Sequence, residues 1–231
     1  MLIRNAAAQE APSVRLRSVA LATAVLSMAV VASAAIATLG KVVQFDVAAP
    51  AGLPACRVAD KPARAARYDQ WAATLLDPAH TLGPSYVPPD LRRGSIQGRE
   101  VTVREFVVQP LTEMLDAAAA AGVNLRVTSS YRSYTDQLEL LASNPDEDDL
   151  IALPGHSEHQ LGTTVDLADG DEWLASNAAR FGFVMSFPAA RSPTWTCYRS
   201  EPWHYRYFGP DLAAKITASG LSPREYLWLH I

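Results

Sequence analysis

PLTEMLDAAAAAGVNLRVTSSYRS, residues 110–133, changes period once, and that change decides the fold class. Up to Ala121 the apolar side chains Leu111, Met114, Leu115 and Ala118 recur at the spacing of one helix face, and Gly122 stands where a left-handed C-terminal cap belongs. Beyond the glycine, Val123, Leu125 and Val127 alternate with polar neighbours, the period of a half-buried strand that ends at Ser129-Ser130. A helix from about Pro110 therefore hands over to a strand. The strand delivers Tyr131-Arg132-Ser133 to a sheet edge or cleft.

Downstream, Thr135 to about Ala142 reads as a helix, and Asn144-Pro145-Asp146-Glu147-Asp148-Asp149 as a solvated acidic loop. Thr163 to Ala168 alternates again, with Val165 and Leu167 on one face and Asp166 on the other. Glu172 to Arg180 reads as a helix closed near Gly182, and Phe183 to Phe187 as a buried strand. Tyr205 and Tyr207 share one strand face, with His204 and Arg206 opposite. Ser222-Pro223-Arg224-Glu225 combines a capping box with proline at the first helical position, which starts a short C-terminal helix. Helices and strands without regular alternation favour an α+β domain, a small, largely antiparallel sheet flanked by helices, over residues 68–231.

Upstream, residues 41–67 are rich in Ala and Pro with little period, which suits a linker or a wrapped N-terminal arm. Ser18 to Gly40 runs 23 residues without a charge, VALATAVLSMAVVASAAIATL at its centre, long enough to span a bilayer. Arg4, Arg15 and Arg17 precede it against Lys41 after it, so residues 1–17 should stay cytoplasmic and the rest be exported. The run is longer than a usual signal-peptide core, which favours a single-pass membrane anchor, although Ala32-Ser33-Ala34 offers a cleavage site that would make the domain secreted. Export permits a Cys56–Cys197 disulfide, the alternative being two buried, inert thiols. A net charge of −4 with no basic stripe excludes nucleic acid as a partner. Oligomeric state leaves no mark in the sequence.

Three of the five histidines, His156, His159 and His204, fall in two dense polar-aromatic segments, residues 154–166 and 201–207. Two imidazoles and one carboxylate suit Zn²⁺ in a catalytic site, and His159, Asp166 and His204 would make that set, with His156 competing for a place. Glu201 lies three residues before His204, and Pro202 forces it into an extended or turn conformation, so it is the candidate for proton transfer. His80 and His230 lie outside both segments and are expected at the surface. Trp203 and Tyr205 are expected to pack and aim the His204 segment.

SxHxxGxxxD at Ser157 to Asp166, ExWHxRY at Glu201 to Tyr207 and SSYRSYxxQ at Ser129 to Gln137 resemble, in that combination, the VanY-like D-alanyl-D-alanine carboxypeptidases of the M15 (LAS) group of zinc peptidases. The resemblance takes in Tyr86-Val87-Pro88-Pro89-Asp90-Leu91, Trp173 to Phe187 and the C-terminal helix, and so runs from about Tyr68 to the end without the N-terminal arm. It implies zinc on His159, Asp166 and His204, with His156 at a variable position. It implies Glu201 as general base and acid, and Arg132 binding substrate and stabilising charge on the attacked carbonyl, a role that suits a guanidinium fork. Gln137 and Ser157 become secondary contacts. The implied reaction is removal of the terminal D-alanine from peptidoglycan stem peptides. L,D-carboxypeptidase or endopeptidase action on the same stems, or a non-catalytic zinc-containing wall-binding module, are the alternatives, and only the last has no use for Glu201. Ser130, Thr164 and Ser186 depart from the family's usual residues at their positions without touching a ligand.

Overall fold

Gly122 does separate helix from strand, although the strand begins only at Arg126, and the sheet reached there carries part of the site on one of its faces. The computed structural model describes residues 52–145, 150–191 and 193–231. The expected segments 1–17 and 18–40, the start of the arm and residues 146–149 of the acidic run lie outside the described residues. No described helix is long and apolar enough to cross a membrane.

Short strands β1 (Lys61–Pro62) and β2 (His80–Thr81) pair in parallel. A hairpin of β3 (Leu91–Ile96) and β4 (Arg99–Arg104) follows. Its two turn residues, Gln97 and Gly98, have φ of 51° and 77°, the pattern of a two-residue type I′ turn. Helix α1 (Glu105–Ala120) leads into β5 (Arg126–Ser129), and α2 (Tyr134–Ser143) starts on a Ser133/Asp136 capping box. Then come β6 (Thr164–Ala168), α3 (Asp171–Asn177), β7 (Phe183–Met185), the single turn α4 (Pro193–Thr196), β8 (His204–Tyr207), α5 (Pro210–Ser219) and α6 (Pro223–His230). The main sheet is antiparallel throughout, in the order β5-β6-β8-β7. The α+β class with a small antiparallel sheet is thus present.

Helix α1 begins at Glu105, five residues earlier than its sequence pattern suggests, with Pro110 inside it. The proline forgoes a bond to the Phe106 carbonyl, worth about 3 kcal/mol with its steric clash. Val107, Leu111, Met114, Leu115 and Ala118 are nevertheless all buried along one face, and at about 1.5–3 kcal/mol per large apolar side chain that burial outweighs the proline. The face packs with Val127, Val165, Leu167, Phe183 and Tyr205 in one core. Helix α3 stops at Asn177, and a 3₁₀ turn, Ala178–Phe181, completes the run to Gly182. The α1 core occupies one side of the sheet. Asp166, His204 and Arg206 project from the other.

From Gly52 the arm lies against the domain. Arg224 donates to the Pro54 carbonyl at 2.8 Å and to the Trp195 carbonyl at 2.6 Å, and pairs with the buried Asp77 at 2.7 Å. Burial pushes the Asp77 carboxyl up, but Arg224 and His80 outweigh it and hold the group below its ordinary range. His80 is accordingly not a surface residue: only 7% exposed, it sits 2.7 Å from Asp77 Oδ1. An imidazole with a buried carboxylate partner is stable inside, which the isolated histidine in the sequence did not signal. His230 is exposed as expected.

Cys56 and Cys197 are joined in a disulfide with Cα atoms 5.2 Å apart, closing a separation of 141 residues. On chain-entropy grounds so long a loop contributes about 4–5 kcal/mol. Urea unfolding with and without reductant should show a loss of that order; coincident midpoints would contradict it.

Candidate active site

The polar face of the sheet sets the register of the site. Asp166 on β6 lies opposite His204 on β8 and, on its other side, opposite Ser129 of β5. His159 comes from a 3₁₀ turn, Glu158–Leu161, that Ser157 caps by accepting from the His159 amide at 3.4 Å. Gly162 ends the turn with φ 70°, and a Cβ there would lie 2.8 Å from Leu91 Cδ2 and 3.1 Å from Arg104 Cγ. The left-handed conformation favours glycine, and a Cβ would also press on the Leu91 and Arg104 side chains of the hairpin, which accounts for the G of SxHxxG.

His159 Nδ1 is 2.7 Å from the Ser130 carbonyl, so that nitrogen carries the proton and Nε2 is the free one; Ser130 thus does touch His159, through its backbone, where no such contact was expected. Asp166 Oδ1 lies 3.4 Å from His159 Nε2 and 3.3 Å from His204 Nδ1. The three residues' donor atoms all fall within 4.8 Å of one another, and the two rings meet edge to face. Asp166 Oδ1 is buried without a hydrogen bond. An ionised oxygen so placed, beside two imidazole nitrogens and without a hydrogen bond of its own, is costly unless a cation joins it. The donor set, two imidazoles and a carboxylate, fits zinc with a coordination position left over. Burial raises the Asp166 carboxyl, yet His159 and His204 hold it far below its ordinary range; His159 itself is lowered, chiefly by burial.

Glu201 Oε2 is 3.4 Å from His204 Nδ1. The Glu201 amide donates to the Phe187 carbonyl at 3.0 Å, and its own carbonyl accepts from the His204 amide at 3.1 Å, a turn that matches the conformation Pro202 imposes. Burial pushes the Glu201 carboxyl up to about 7; His204 opposes this while Asp166 and Glu158 add to it. A carboxyl titrating near neutrality is suited to take and return a proton.

Arg132 is oriented by two partners, Gln137 Oε1 at 2.8 Å from Nη1 and Ser129 Oγ at 3.0 Å from Nη2. Burial draws its pKa down, with Asp166 and Glu201 acting the other way; a guanidinium stays charged regardless. Gln137 is 2% exposed and donates to the Ala152 carbonyl at 2.6 Å, so it stands behind Arg132. His156 is turned elsewhere, with Nδ1 2.9 Å from the Asp77 carbonyl, and is not among the clustered donors. Tyr205 is in the core, whereas Trp203 is 37% exposed. It precedes β8 and stands at the cleft, not in the packing expected of it. The cleft, about 240 Å³, holds Arg132, Gln137, Ser157 and the His159 cluster, with Leu140 and Ile151 among its apolar walls.

Sequence reasoning missed Glu158. It is 8% exposed, accepts from Arg206 Nη1 at 2.8 Å and from Ser186 Oγ, and faces His204 Nε2 at 3.2 Å. Burial alone would raise its pKa, but Arg206, His204 and Ser186 hold it at about 2. Its only sequence signal was its place between Ser157 and His159.

Residues 100–210 match the family model VanY: D-alanyl-D-alanine carboxypeptidase. A D-alanyl-D-alanine carboxypeptidase of Enterococcus faecalis is 33% identical over 183 residues, 68% of this chain and 66% of that protein, so the chain spans just under two thirds of that relative's length. A crystal structure of the vancomycin-resistance D,D-pentapeptidase VanY, in complex with Zn(II), superposes with a TM-score of 0.61 at 30% identity, covering 68% of this chain and 99% of that one. The chain belongs to the VanY family. A second VanY-family structure, VanYB in complex with D-Alanine-D-Alanine, gives a TM-score of 0.62 at 29% identity over 70% of this chain and 99% of that one.

Proposed function

We propose that the chain is a zinc-dependent carboxypeptidase that removes the terminal D-alanine from peptidoglycan stem peptides. The observation that carries this reading is the buried, unbonded Asp166 Oδ1 set between His159 Nε2 and His204 Nδ1, with Glu201 beside it. His159, Asp166 and His204 would hold the ion. Bound there, zinc supplies Lewis acidity that makes a water nucleophilic at neutral pH and polarises a carbonyl. Glu201 takes the proton of the attacking water and returns it to the amine of the departing D-alanine. Arg132, held by Gln137 and Ser129, presents its fork to the oxygen on which negative charge develops. Ser157 keeps His159 in place through its amide. The D-Ala-D-Ala complex of VanYB supports the substrate, and the VanY zinc complex the metal.

Arg132→Ala should lower kcat/KM by about 10²–10³-fold, and Arg132→Lys should recover little of it because an ammonium cannot reproduce the fork. Kinetics on a pentapeptide stem check this; near-full activity of the lysine variant would refute the fork.

We place the catalytic domain on the outer side of the membrane, held by residues 18–40 or released if that segment is cleaved. The charge-free run and the Cys56–Cys197 bridge, a bond that persists outside the cytosol, support this. Protease added to intact cells should reach the domain; full protection would contradict it. For the reaction, defined pentapeptide and tetrapeptide muropeptides followed by mass separate the outcomes. Loss of one alanine from the pentapeptide is expected. Cleavage of the tetrapeptide alone would replace the D,D assignment with an L,D one, and cleavage of neither by zinc-loaded protein would refute peptidase action.

A further inference from the structure

The Glu158 carboxylate is tied down by Arg206 and Ser186. Its partner Arg206 is fully buried, and Arg206 Nη2 donates to the Trp71 and Thr74 carbonyls at 2.8 Å each. The guanidinium also lies over the Phe208 ring, 4.5 Å from its centroid. Taking a carboxylate out of water costs several kcal/mol unless it is paired and hydrogen-bonded. Arg206 and Ser186 offset that cost. They leave Oε2 facing His204 Nε2 at 3.2 Å.

The direction of that contact matters because an imidazole has two nitrogens. His204 Nδ1 is the one turned to Asp166 and Glu201. A carboxylate at Nε2 keeps the proton there, which leaves the Nδ1 lone pair available and raises its basicity. His159 achieves the opposite tautomer with a neutral partner, the Ser130 carbonyl. Arg206 and His204 are two apart on β8 and share its polar face, so a single carboxylate on the 158–161 turn can reach both.

We infer that Glu158, locked by Arg206 and Ser186, is a positioning residue that fixes the tautomer and orientation of His204 for metal binding. The inference rests on the proposed reading of His204 as a zinc ligand. Its alternative is purely structural: Glu158 serves only to neutralise the buried Arg206.

Zinc affinity of the full-length chain, measured by competition with a chromogenic chelator, separates the two. Glu158→Gln should weaken zinc binding by about 10–100-fold, with circular dichroism confirming that the metal-free variant is folded. Glu158→Met combined with Arg206→Met removes both buried charges and any acceptor for His204 Nε2; because the Trp71 and Thr74 carbonyls lose their Arg206 donor, its folding is checked by circular dichroism as well. It should remain as weak a zinc binder. A folded Glu158→Gln chain with wild-type affinity, or a double variant that regains it, overturns the positioning role alone. A wild-type chain that binds no zinc overturns the zinc reading and this inference with it.

Discussion

Glu201→Gln is expected to keep one zinc per chain and to lose about 10²–10⁴-fold in kcat, the range that a positioned general acid–base contributes. The amide preserves the volume of the side chain and leaves the His159, Asp166 and His204 donors untouched, but it cannot take a proton from water. The same change should stabilise the metal-free protein above neutral pH. Burial holds the Glu201 carboxyl at about 7 against an ordinary 4.5. Between those values the folded chain keeps a proton that the unfolded chain has released, so stability falls as pH rises through this window. Glutamine has no proton to lose. At pH 8 the metal-free variant should therefore gain on the order of 2–3 kcal/mol over wild type. Metal content, turnover and urea unfolding at two pH values check the set, and near-full turnover would remove Glu201 from the chemistry.

His159→Ala is expected to lose both zinc and turnover. His159 supplies one of two imidazole donors, and its removal leaves Asp166 Oδ1 with a single nitrogen nearby, His204 Nδ1 at 3.3 Å. The loss in affinity should exceed the roughly 10–100-fold typical of an outer-shell partner. His156→Ala provides the contrast. That ring bonds the Asp77 carbonyl away from the cluster, so metal content should stay at the wild-type level. Elemental analysis after exhaustive dialysis reads both. Wild-type zinc in His159→Ala would refute the ligand assignment.

Where a residue's environment is local, the sequence revealed it. The alternation of Val165, Asp166 and Leu167 put Asp166 on the polar face, and the same parity on β8 paired His204 with Arg206; register then set Asp166 opposite His204. Capping at Ser222 and Glu225 was equally local, and both reciprocal bonds are present. The apolar spacing starts helix α1 only at about Pro110, and only the burial of Val107 reveals the earlier start. The environment of Glu158 depends on a charge that chain crossing brings from far away, and although His80 meets a carboxylate only three residues off, the burial of that Asp77 depends on another such charge. Arg206 is 48 residues from Glu158, and Arg224 is 147 from the Asp77 that holds His80. Single-sequence periodicity carries no signal for such pairs. Trp203 differs for a related reason: an aromatic beside a strand reads as core, whereas here its backbone bonds to Leu167 of β6 while its ring stands at the cleft.

Titrating zinc into the metal-free chain while following both bound metal and D-alanine release from a pentapeptide stem tests the central claim most directly. The site predicts that release rises in proportion to bound zinc, saturates at one equivalent, and disappears when a chelator removes it. Release of D-alanine by metal-free protein, or one tightly bound zinc with no release, would contradict it.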